Sequence, residues 1–339
     1  MRKVVVVTGG GAGVGRATAA EFARQGCDVG VIGRDLPRLQ AAVSELQRLG
    51  AHACYAQADV ADAQAVEAAA ETIEAELGPI DIWVNNAMAT IFAPVSAVAA
   101  EEFRRATEVT YLGTVHGTMT ALKCMKRRGT GTIVNVGSAL AYRSVPLQSA
   151  YCGAKSAIRG FTDSLRSELI HDRSDIRLSM VHLPAINTPQ FTWALNKTGR
   201  RARPVPPIYA PEVAARAIVF AAFHPRREVW VGFPTVVAIM ANRIAAGVAD
   251  RYLAEAGYSS QLLHEVSPTD APANLFHPVP GEYGARGRFT GRERHKTGEM
   301  FFGIHKGAVI TALLILGVGI LQACLGARKP SSVRRSLSK

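Results

Sequence analysis

Three side chains set the chemistry open to this sequence: the hydroxyl of Ser138, the phenol of Tyr151 and the amine of Lys155. Tyr151 and Lys155 stand four residues apart, so on a helix they share one face. Ser138 lies 13 residues before Tyr151, at the end of the predicted fifth strand, on the carboxyl edge where sheets of this kind bind ligands. A tyrosine and lysine at this spacing also occur on ordinary surface helices. They gain meaning from a second feature, the run Thr8-Gly9-Gly10-Gly11-Ala12-Gly13-Val14-Gly15 directly after the first apolar strand. Glycine alone lets backbone amides come close to a pyrophosphate, and a helix N-terminus adds a favourable dipole. A bare glycine run makes a tight turn as well, but its place between strand and helix favours nucleotide binding.

These groups need a scaffold, and the chain supplies short β-branched runs alternating with helical periodicity. Strands are predicted at 4–7, 29–32, 53–58, 80–84, 132–136 and 176–182, and helices at 18–25, 36–49, 63–77, 99–128 and 150–171. That rhythm predicts a Rossmann-type, doubly wound parallel sheet with helices on both faces. Residues 188–207, rich in Arg and Pro, read as an exposed loop; a helix at 211–223 and a last strand at 228–231 follow. The expected organisation is a catalytic domain over 1–234, then an extension over 235–299 that is helical to about 256 and a Pro-, Gly- and Arg-rich linker from 267. A membrane-spanning helix over 305–328 and a short basic tail over 329–339 complete it.

With both motifs in place, residues 3–232 resemble the short-chain dehydrogenase/reductase superfamily. The matching positions are the glycine loop, Asp59 after the third strand, Asn85-Asn86-Ala87 after the fourth, Ser138, Tyr151, Lys155, and the segment from Pro184 to Thr188. The resemblance implies that Tyr151 is the general acid/base, that Ser138 orients the carbonyl or hydroxyl, and that Lys155 binds the ribose and lowers the Tyr151 pKa. A phenol with a reference pKa of about 10 needs such a cation to work near neutrality. It also places Thr8, Gly9, Gly11, Ala12, Gly13, Val14, Gly15, Asp59, Val60, Asn86, Ala87, Pro184 and Thr188 around the cofactor, with Asp59 accepting from adenine. Members that prefer NAD usually carry a carboxylate at the position of Gly33. Here Arg34 follows and can pair with a 2′-phosphate, so NADP(H) is expected ahead of NAD(H). Three positions depart from the family pattern: Met88 replaces a glycine after Asn85-Asn86-Ala87, Ala185 replaces the glycine after Pro184, and Thr110 stands at a fourth catalytic asparagine. That asparagine holds a relay water largely through its backbone carbonyl, which threonine also has.

Composition sets the outer limits. The 339 residues are 48% hydrophobic and 19% charged, enough for a full core. Residues 1–196 carry 19 basic against 18 acidic side chains and residues 197–339 carry 20 against 9, so the excess charge sits late. Neither zinc-finger spacing nor aromatic-basic interleaving is present, and nucleic acid is not an expected partner. Five cysteines without a CxxC pair read as small buried hydrophobes, and the histidines show no metal-ligand spacing. The N-terminal apolar run is too short for a signal peptide, so the catalytic part is expected in the cytoplasm. The uncharged run from Gly307 to Ala327, 21 residues long, would span roughly 31 Å as a helix and is expected to contact membrane lipid. The expected protein is therefore an NADP(H)-dependent, homo-oligomeric oxidoreductase interconverting a lipophilic carbonyl and alcohol. The alternative, motivated by Thr110 and Met88, is a non-catalytic, membrane-tethered protein of the same fold that senses nucleotide or serves as a scaffold.

Overall fold

The computed structural model describes residues 2–268 and 271–297. Along the chain run β1 (Val4–Thr8), α1 (Gly13–Arg24), β2 (Asp28–Gly33), α2 (Leu36–Arg48), β3 (Ala53–Gln57), α3 (Ala63–Leu77), β4 (Ile80–Asn85) and β5 (Ile91–Phe92). Then come α4 (Ala100–Thr107), a π-helical turn (Glu108–Leu112), α5 (Gly113–Lys126), β6 (Thr130–Ser138), α6 (Ser149–His171), β7 (Asp175–Leu183) and α7 (Gln190–Trp193). The regular elements close with β8 (Leu195–Asn196), β9 (Arg200–Ala202), α8 (Pro211–Phe223), β10 (Glu228–Trp230), α9 (Phe233–Gln261) and β11 (Leu262–Val266).

Seven strands form one parallel sheet in the order β10-β7-β6-β4-β1-β2-β3. Helices α1, α2 and α8 pack together, and α3, α4, α5 and α6 form a second set, as the predicted doubly wound architecture requires. A strand covered on both faces cannot alternate polar and apolar residues. Accordingly β1 is buried at every position, and Ile80, Ile82, Trp83 and Ile133 fill the centre. Local signals set the helix starts. The Asp35 side chain accepts from the Arg38 amide (3.0 Å) and caps α2, while Asp62 caps α3 by accepting from Gln64 and Ala65. Cys27, Cys54, Cys124 and Cys152 are buried thiols, and burial pushes Cys54 up to about 12 and Cys124 up to about 11. The fifth cysteine, Cys324, lies outside the described residues.

Several expectations change. The single helix expected over 99–128 is α4 and α5 joined by the π turn, which widens the backbone around Thr110. The expected loop at 188–207 contains α7, a β8 that pairs with β5, and a β9 that pairs with β11. Helix α9 runs on to Gln261 and bends at Ala245, whose backbone (φ −144°, ψ 54°) leaves the helical region.

The largest correction concerns 271–297, expected as part of a basic linker. It is a packed strap anchored by buried Leu275, Val279 and Phe289. Its Pro- and Gly-rich backbone has no periodicity to read in the sequence, but side chains of the sheet domain satisfy its carbonyls. Arg38 donates to Val279 O (2.6 Å) and Arg34 to Phe276 O (2.9 Å). Residues 1–297 form one compact unit. The expected membrane span over 305–328 and the tail over 329–339 lie outside the described residues; among the described residues no helix is long and apolar enough to cross a membrane.

Candidate active site

Strand order reverses on either side of β1, which has β2 on one flank and β4 on the other. Ligands of such sheets bind in the crevice beyond the strand ends at that point. Thr8 ties the crevice floor together: its Oγ1 accepts from the amides of Asn86 (2.9 Å) and Ala87 (3.1 Å), and Asn86 Nδ2 donates to Thr8 O (2.9 Å). The glycines are forced by this closeness. A Cβ on Gly15 would stand 2.2 Å from Gly9 O, and one on Gly9, at φ +67°, 3.0 Å from Ala87 Cα. Helix α1 begins without a side-chain cap and without an acidic residue in its first turn, leaving a positive dipole end aimed at the crevice. This cradle fits a pyrophosphate, so the residues present fit a dinucleotide.

Strand β6 carries Ser138 to the same edge, where register sets it beside Leu183 and hence next to Pro184. Its Oγ accepts from the Leu140 amide (3.1 Å) and reaches the Tyr151 phenol. One turn along α6, Lys155 is 2% exposed, and its Nζ donates to Val136 O (2.6 Å) while lying 5.6 Å from the Tyr151 ring centre. Burial pushes the Lys155 ammonium down to about 7. The Tyr151 phenol moves opposite to the expected direction. Burial raises it above its ordinary value and the Ser138 hydrogen bond pulls it partly back, while burial also makes the Lys155 amine costly to charge.

One cavity of about 850 Å³ joins the two halves. Gly9, Gly11, Ala12, Gly13, Val14, Arg34, Asp59, Val60, Asn86 and Ala87 line it together with Ser138, Tyr151, Lys155, Pro184 and Thr188, and Thr188 stands beside Gly13. Three expected site residues stand behind this lining. Thr8 and Gly15 act as described, and Thr110 is fully buried, its hydroxyl both accepting from Ala89 N and donating to Ala89 O at 3.0 Å. The Thr110 carbonyl accepts from the Thr114 hydroxyl (2.9 Å). Arg34 donates to the carbonyls of Asn274, Leu275 and Phe276 and pairs with Asp59 at 3.8 Å; Asp59 is held more closely by Arg105. Beyond Tyr151 the walls are mostly apolar, with Val205, Pro206, Val237, Val248, Tyr252 and Leu253, and Gln148, Arg143 and Arg203 supply polar groups.

Sequence reasoning missed several supports. His182, fully buried on β7, brings Nδ1 to 3.1 Å from the Ser138 carbonyl, with Nε2 3.7 Å from Glu228. Asn85 donates to Thr118 and Asn135 (2.9 Å each), and Asn135 to Thr162 (2.9 Å), joining β4, α5, β6 and α6. An asparagine inside an apolar strand was the available signal for Asn135. Nothing in the sequence marked His182 or the strap.

With this geometry in hand, comparison with known proteins decides the family: the short chain dehydrogenase family model matches residues 3–198. The chain belongs to the short-chain dehydrogenase family. Among its relatives, the uncharacterized oxidoreductase YxnA of Bacillus subtilis is 34% identical over 263 residues, covering 76% of this chain and 73% of the relative. The putative oxidoreductase SadH of Mycobacterium tuberculosis is 31% identical over 264 residues, covering 74% and 94%. Among solved structures, an alcohol dehydrogenase from the archaeon Thermococcus sibiricus, complexed with 5-hydroxy-NADP, aligns with a TM-score of 0.58 at 26% identity. It covers 68% of this chain and 96% of that one. Membership in this family supports an oxidoreductase acting on a small molecule.

Proposed function

We propose that this short-chain dehydrogenase is an NADP(H)-dependent oxidoreductase that interconverts a lipophilic carbonyl and its alcohol, with Tyr151 as general acid/base. The observation that carries the reading is the single cavity in which Ser138, Tyr151 and Lys155 meet the glycine cradle. The Thermococcus relative's NADP derivative supports the cofactor class, and Arg34 at the end of β2 supports the phosphorylated form.

When bound, the dinucleotide supplies or accepts the hydride. The glycine cradle and the N-terminus of α1 hold its pyrophosphate, and Arg34 has guanidinium donors to offer a 2′-phosphate. Ser138 orients the substrate oxygen by hydrogen bonding, and Tyr151 gives that oxygen its proton in reduction or takes it in oxidation. Lys155, one turn along α6 from Tyr151, would hold the ribose and, once charged, favour the phenolate. The apolar wall of Val205, Val237, Val248, Tyr252 and Leu253 excludes water and suits an aliphatic or polycyclic substrate. Purified protein should consume NADPH with steroid, retinoid, quinone or long-chain carbonyls, followed at 340 nm. The absence of turnover across the panel in both directions, with either nucleotide, would overturn the assignment.

The uncharged run from Gly307 to Ala327 supports a membrane tether in the same reading. Deleting 300–339 should move the protein from the membrane to the soluble fraction with turnover kept; a full-length protein already soluble without detergent removes the tether.

A further inference from the structure

We propose that the strap, residues 271–297, is part of the nucleotide site: it positions Arg34 and closes the crevice, so that NADP(H) enters and leaves only when the strap opens. The proposal rests on the cofactor reading above.

The strap touches in turn three of the segments assigned to the nucleotide. At the adenosine end, three successive carbonyls, of Asn274, Leu275 and Phe276, accept from the Arg34 guanidinium. Next to them Val279 O accepts from Arg38, whose guanidinium lies 4.8 Å from the Trp193 ring centre. In the middle, Gly284 O accepts from the amide of Gly13, the glycine that opens α1 (3.0 Å), and Glu282 pairs with Arg16 on the same helix. Farther on, the amides of Gly287 (3.2 Å) and Phe289 (3.1 Å) donate to the backbone and side-chain oxygens of Asn187. One continuous stretch therefore ties the end of β2, the glycine loop and the Pro184–Thr188 segment to one another.

Its fit is close. A Cβ at Gly287 would stand 2.5 Å from Thr188 O, so the strap lies directly on that backbone. Asn274 and Pro278 line the same cavity as the glycine loop, which makes them wall rather than remote surface. Neither side of the crevice can move away from the other while these contacts hold. The carbonyl triplet also restricts the orientation of a long, flexible side chain. A fixed fork of donors reads a phosphate better than a mobile one, because less rotamer freedom is lost on binding. The match to the archaeal alcohol dehydrogenase accounts for 96% of that protein with 68% of this chain, so about a third of this chain is additional to the shared fold, and residues 271–297 lie beyond the stretch matched to the family.

The test uses the full chain. Hydrogen–deuterium exchange over 271–297 is followed with and without saturating NADP⁺ or NAD⁺, and NADPH release is timed by stopped-flow fluorescence in wild type and in the Glu282→Gln/Tyr283→Ala double variant. Glu282 is exposed, and Tyr283 packs its ring 4.7 Å from that of Trp193, so these changes loosen the strap without touching its buried anchors. Exchange in the strap should slow at least tenfold with NADP⁺ bound. The variant should release NADPH at least fivefold faster, with a smaller preference for NADPH over NADH. Strap exchange that is unchanged or faster with bound nucleotide, or release within twofold of wild type, overturns the proposal. If NAD⁺ binds as tightly as NADP⁺ and protects the strap equally, closure stands while the role of Arg34 and the cofactor reading fall; if neither nucleotide binds, both fall.

Discussion

Replacing Lys155 by methionine should stabilise the nucleotide-free protein at neutral and acid pH while abolishing turnover, a pairing that most core substitutions do not produce. The buried ammonium has its pKa lowered from 10.5 to about 7, so the folded state resists a proton that the unfolded chain accepts readily. Above pH 10.5 the amine is neutral in both states and costs nothing. As pH falls through the window from 10.5 to 7, the unfolded state gains about 1.4 kcal/mol per unit relative to the folded one, and below 7 the cost is constant. The full shift corresponds to about 5 kcal/mol, an upper figure. Methionine matches the length of the stem and carries no charge, but it leaves the Val136 carbonyl without its donor, which returns about 1 to 3 kcal/mol. The variant should therefore gain about 2 to 4 kcal/mol at pH 6, shrinking to zero or below at pH 10.5. Urea denaturation of both proteins at half-unit pH steps reads this directly. A variant no more stable than wild type at pH 6, or an advantage that does not change with pH, would refute the reasoning.

Tyr151→Phe should abolish NADPH turnover with nucleotide affinity nearly intact, measured by fluorescence titration; activity within a few-fold of wild type removes the phenol from its role. Arg34→Ala should weaken NADPH about tenfold or more, from the loss of about 1.5 to 3 kcal/mol for a charge-assisted pair, and barely alter NADH, with equal losses counting against 2′-phosphate recognition. Asn135→Ala strands its buried partners Asn85 and Thr162 and should cost about 2 to 4 kcal/mol by chemical denaturation; a cost below about 1 kcal/mol would show that the network repairs itself.

The sheet was legible because burial on both faces favours continuous apolar strands: 4–7 is all valine, and 80–84 is interrupted only by Asp81 near its start. The glycine cradle was legible for a similar reason, since the approach of Gly15 to Gly9 leaves no room for a side chain. What could not be read depends on contacts between distant residues. The strap is held by arginines some 240 positions away donating to main-chain carbonyls, and a carbonyl is the same whichever residue carries it. The direction of the Tyr151 shift was missed because a motif gives the spacing of a phenol and an amine but not their depth, and here depth outweighs proximity. The break around Thr110 left no mark either: a single π turn within a helical run is too short to show in the apolar periodicity.

The amide and hydroxyl cluster of Asn85, Thr118, Asn135 and Thr162 has a dynamic consequence. Each link spends its hydrogen-bonding capacity on a different element, so β4, α5, β6 and α6 cannot slide past one another without stranding a polar group in the interior. Ser138 on β6 and Tyr151 on α6 are thus mounted on one block, and their separation is insulated from any breathing of the outer walls. On the mechanism and the strap opening proposed above, the phenol and the serine hydroxyl would keep their alignment while the cleft opens and closes.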